Sequence, residues 1–107
     1  MKTVTSRSEL IAGIKAGERH FKVKGKSLLL QCAIASKFND VGSVTTDMAA
    51  SVAASAGANV AITETTVIAL TAIAVVGAIA IIAILKNMYL KIKVYRSNGE
   101  GGEVEVF

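Results

Sequence analysis

Three stretches of the chain alternate between apolar and polar positions. HFKVKGK at 20–26 sets Phe21 and Val23 against Lys22 and Lys24. YLKIKVYR at 89–96 sets Leu90, Ile92 and Val94 against Lys91 and Lys93, and EVEVF at 103–107 sets Val104 and Val106 against Glu103 and Glu105. A period of two predicts half-buried strands. The Gly-rich SNGEGG between the last two predicts a hairpin turn. An in-phase register faces Lys91 and Lys93 with Glu103 and Glu105, giving favourable cross-strand pairs. A two-stranded hairpin is marginal alone, so 20–25 is the expected third strand. Ser6 and Glu9 have capping-box spacing, Leu10, Ile11 and Ile14 share one helical face, and Gly17 can end that helix.

The middle of the chain follows another rule. From Thr65 to Leu85 there are 21 uncharged residues, eleven of them Val, Ile or Leu. As a helix this run extends about 31 Å, close to the roughly 30 Å of a bilayer core. Lys86 follows directly, placed to snorkel. A transmembrane helix over 65–86 is the expectation.

Residues 27–63 predict an Ala/Ser-rich helix. Between 43 and 63, positions four apart sort by chemistry. Asp47, Ser51, Ser55, Asn59 and Thr63 form a polar ridge, and Ala49, Ala53, Gly57 and Ala61 form a row of tiny side chains. The ridge suits a pore lining, with Asp47 near a mouth favouring cations. The tiny row is a small-xxx-small surface for helix packing. Asp47 makes this helix a poor solo span, costing about 2.5–3.5 kcal/mol at the bilayer centre.

Charge then suggests a topology. Residues 1–26 carry seven Lys/Arg against two Glu, while the segment joining the two central helices holds Glu64 and no cation. The positive-inside rule therefore favours a helical hairpin with both termini cytoplasmic. The expected fold is a membrane α-helical hairpin with a small α+β extramembrane cap, one amphipathic helix on a three-stranded antiparallel-type sheet. The cap is built from 1–26 and a C-terminal β-hairpin over 87–107.

Composition supports this reading: 52% of residues are hydrophobic, 19% are charged, Pro and Trp are absent, and mean hydropathy is +0.54. So apolar a chain is not a disordered tail. The single Cys32 excludes an internal disulfide, and it reads as a small buried apolar residue. His20 has no Cys, His or Asp partner at metal spacing, so neither a metal nor another cofactor is expected. No catalytic residue stands out, and an enzyme is not expected. The net charge of +4 comes without an RNP, helix-turn-helix or zinc-finger pattern, so no nucleic acid is expected, nor any small-molecule substrate. Lys22, Lys24, Lys86, Lys91 and Lys93 are candidate lipid-headgroup contacts. The functional expectation is an oligomeric pore or channel-like assembly in a bacterial inner membrane, of the kind formed by a membrane-permeabilising toxin or defence effector. The alternative is a non-conducting, membrane-anchored scaffold that self-assembles through the tiny residues. The expected partners are the lipid bilayer and further copies of the chain.

Overall fold

The computed structural model describes residues 1–39, Thr45, Met48, 64–97 and 101–107, with the side chains of 64–73 excepted. In chain order the elements are β1 (Lys2–Val4), α1 (Arg7–Lys15), β2 (His20–Lys24), α2 (Lys26–Ser36), α3 (Glu64–Asn87), β3 (Ile92–Ser97) and β4 (Gly101–Val106). The strands form one mixed sheet in the order β1-β2-β4-β3. β1 runs parallel to β2, with α1 as the crossover that a parallel pair requires. β4 is antiparallel to both β2 and β3.

Local signals set α1 and the strands. The Ser6 hydroxyl accepts from the Glu9 N–H at 3.2 Å, closing the N-terminus of α1. At its other end Gly17 adopts φ 97°. The Gly17 N–H donates to Ile14 O, and the Glu18 N–H to Gly13 O, the two bonds of a Schellman motif. α1 lies close to the sheet at Gly13, where a Cβ would stand 2.6 Å from Phe21 Cε1. The period-two alternation buries Phe21 and Val23 of β2 and Val104 and Val106 of β4 on one face. Ile92 and Val4 complete that inner face.

α2 occupies the centre of the molecule. It packs against β2, β3 and β4 on one side and α3 on the other. Every residue from Leu28 to Ala35 is buried, Gln31 included. A helix covered all round shows no amphipathic period.

This arrangement overturns the membrane hairpin. The second half of the run read as a span is spent covering α2: Ala74, Val75, Ala78, Ile81, Ile82 and Leu85 are all buried in the core. Among the described residues no helix is long and apolar enough to cross a membrane. The expected fold class, transmembrane helix and bacterial inner-membrane location are corrected accordingly. The pore-forming toxin and the membrane-anchored scaffold lose the span on which both rested. The apolar residues of α2, and those of α3 from Ala74 onward, are taken up by a three-layer α+β packing of sheet, α2 and α3.

The sheet is also larger than expected, with four strands in mixed rather than purely antiparallel pairing. Its register keeps one expected charge pair, Lys93 opposite Glu105. Lys91 instead exchanges backbone bonds with Phe107. A bulge at Tyr95 then brings Arg96, not a lysine, opposite Glu103.

Candidate functional site

The inner face of the sheet is filled, so the outer face and edges are where chemistry is available. Register places Thr3, Lys22, Glu103 and Arg96 in one rung across all four strands. A second rung holds His20, Glu105 and Lys93. The acidic strand β4 thus lies between two basic strands. The contacts are loose: His20 Nε2 is 3.8 Å from Glu105 Oε1, and Arg96 Nε is 4.0 Å from Glu103 Oε2. Exposed pairs of this kind contribute about 0–1 kcal/mol each. The Lys93 ammonium lies 5.5 Å from the Tyr95 ring centre, a cation–π distance.

Two concave surfaces border these rungs. One is a groove of about 530 Å³ along the outer edge of β3, running from Ile92 to Ser97 beside Ser36, Lys37 and Asn39 of the α2 end and Phe107. Asn39 occupies its start. Its Nδ2 donates to Ile92 O at 2.9 Å, and its Oδ1 accepts from Ile92 N–H at 3.1 Å. A side-chain amide thereby makes the paired bonds that a neighbouring strand would make. The Lys91–Phe107 exchange faces β4, so Ile92 faces away from β4, and so does Val94 two residues on. Among the described residues nothing pairs with the Val94 N–H and carbonyl. The second surface is an open depression of about 600 Å³ over Lys22, Lys24, Arg96, Gly101 and Glu103.

Of the residues singled out from sequence, Lys22, Lys24 and Lys93 share the outer sheet face, all exposed. Lys86 lies in the last turn of α3 and Lys91 precedes β3, so the five lysines do not form one cluster. Asp47, Ser51, Ser55, Asn59 and Thr63, with Ala49, Ala53, Gly57 and Ala61, lie outside the described residues. Asn39 and Arg96 were not anticipated as contributors. Asn39 acts on a residue 53 positions away, and Arg96 reaches its rung only through the bulge.

Cys32 is fully buried, and burial alone pushes its thiol up to about 12, so it is protonated at neutral pH. Among the described residues no group of three His, Cys, Asp or Glu side chains could hold a metal ion. No protein-family model, curated protein or solved structure matches the chain.

Proposed function

We propose that this protein is a non-catalytic binding module that accepts an extended, acidic segment of another protein along the edge of β3. The observation that carries this reading is the Asn39–Ile92 pairing. It sets the first rung of a further strand, and the Val94 backbone beyond it is positioned for the next. Strand addition draws affinity from main-chain bonds and specificity from alternate side chains.

The chemistry of the occupant follows from the sheet itself. β4 supplies Glu103 and Glu105 to basic neighbours on both sides. The outer edge of β3 presents the same basic character through Lys93 and Arg96, with exposed Lys37 across the groove. A second β3 laid on this edge would bring basic strand to basic strand, which disfavours self-pairing there. A protonated, buried thiol at Cys32 supports a binding role over nucleophilic catalysis.

The test is a titration of the isotope-labelled full chain with a synthetic EVEVF peptide, using KVKVF as the control. Saturable amide shifts at Val94, with Lys37→Glu weakening the acidic peptide a few-fold, are expected. Absence of saturation at Val94, or equal binding of the basic peptide, eliminates the proposal.

A further inference from the structure

We propose that the depression on the outer sheet face is a binding site for a phosphate group, formed by Lys22, Lys24 and Arg96. Three cations border it together with one carboxylate, Glu103. Register fixes their positions: Lys22 and Arg96 flank Glu103 across one rung, and Lys24 lies opposite Gly101 in the next. The Arg96 side chain is 77% exposed and only grazes Glu103 at 4.0 Å, so its guanidinium remains available to a phosphate in bidentate geometry.

A Cβ at Gly101 would collide with the Val23 carbonyl oxygen, and one at Gly102 with the Arg96 carbonyl oxygen. Close strand pairing therefore requires glycine at both positions. A volume of about 600 Å³ falls in the range of small-molecule sites. Glu103 keeps the site from being purely cationic and can accept a hydrogen bond from a hydroxyl beside the phosphate.

This site is separate from the β3 groove in its decisive residues. Lys24 borders the depression and not the groove, and Lys37 the groove and not the depression. The probe is inorganic pyrophosphate, titrated into the labelled full chain at low ionic strength. We expect saturable shifts of the Gly101 and Gly102 amides, at least a fivefold loss of affinity in Lys24→Gln, and no change in Lys37→Gln. Both lysines are exposed, and an otherwise unaltered amide spectrum confirms that each variant is folded. A parallel flotation with phosphatidylglycerol–phosphatidylcholine vesicles separates the sources. Pyrophosphate binding without flotation supports a soluble phosphorylated ligand, and flotation reversed by pyrophosphate supports a lipid headgroup. Shifts that do not saturate, or an unchanged affinity in Lys24→Gln, overturn the site.

Discussion

The side chain of Asn39 grips the backbone of Ile92 from both sides, donating to its carbonyl at 2.9 Å and accepting from its N–H at 3.1 Å. The pair ties the end of the α2 region to an edge strand 53 residues later. Asn39→Ala leaves both Ile92 groups without this partner in a part-buried setting, and should cost about 1–3 kcal/mol in urea unfolding. Asn39→Asp tests the donor separately. An ionised carboxylate cannot donate to the Ile92 carbonyl, whereas a protonated one can. Folding then holds the proton, raising the folded pKa above the unfolded value of about 3.9. The stability this contributes is complete below that value and lost as pH rises through the folded pKa. A flat stability difference between Asn39→Asp and wild type from pH 3 to 7 would contradict the geometry.

Tyr89 offers a simpler test. It sits at φ 58° just beyond α3 and is 96% exposed. The Leu90 N–H donates to Leu85 O at 2.7 Å, the closing bond of a Schellman motif. The left-handed position is thus held by an L-residue that pays roughly 1–2 kcal/mol to be there. Tyr89→Gly removes that strain, and part of the gain is offset by glycine's greater unfolded-state entropy. A net rise of about 0.5–1 kcal/mol is expected, seen as a higher Tm. A lower Tm would show that the exposed ring contributes more than the strain costs.

What could be read in the sequence depended on whether a signal was local. Ser6 and Glu9 announce the start of α1, Gly17 its end, and the alternation around Phe21, Ile92 and Val104 its strands, because caps, φ preferences and period two act within a few residues. α2 could not be read this way. SLLLQCAIA is apolar on every face because it is covered on every face, and it therefore lacks the stripe that marks a surface helix. The same ambiguity misled the reading of 65–85. An apolar run suits lipid or a buried helix equally, and only the position of α2 decides between them. The three-residue β1 is too short to show a period. At the candidate sites the lysines were visible as a polar stripe, but their grouping was not: one bulge at Tyr95 moves Arg96 to the row of Lys22 and Glu103.

The start of α1 carries a pH dependence of known sign. The Glu9 carboxylate accepts from Thr5 Oγ1 at 2.6 Å, and this bond chiefly holds its pKa below the usual 4.5, with smaller help from Ser6 and Lys2 against desolvation. A folded pKa lower than the unfolded one contributes stability that is present above the unfolded value and lost as pH falls through the folded value. Glu9→Gln should therefore differ from wild type at neutral pH and converge toward it in the acid range below 4.5. Thermal unfolding followed across pH 2.5 to 7 measures this. A gap that widens on acidification would reverse the assigned sign.

The contact between Gln31 and Gly77 determines how closely α2 and α3 approach. Gln31 is 6% exposed and donates from Nε2 to Ser27 Oγ at 3.3 Å, while its Oε1 is buried with no hydrogen-bond partner among the described residues. Gly77 lies directly against that amide, and a Cβ added there would overlap Oε1 and stand 3.0 Å from Nε2. Gly77→Ala should consequently destabilise the protein by about 1–3 kcal/mol through overpacking, despite the roughly 1 kcal/mol that alanine gains over glycine within a helix. The three nearest atoms to the added methyl all belong to Gln31. In a Gln31→Ala background the obstruction is gone and only the propensity gain remains. The same Gly77→Ala change should then stabilise by up to about 1 kcal/mol, so the double-mutant cycle is non-additive and inverts sign. Gln31→Met tests the polar half alone: it retains similar volume, removes the unmet acceptor and should stabilise by about 1 kcal/mol. If Gly77→Ala proves equally harmful with and without Gln31, another neighbour sets the helix spacing, and this pairing of α2 with α3 is wrong.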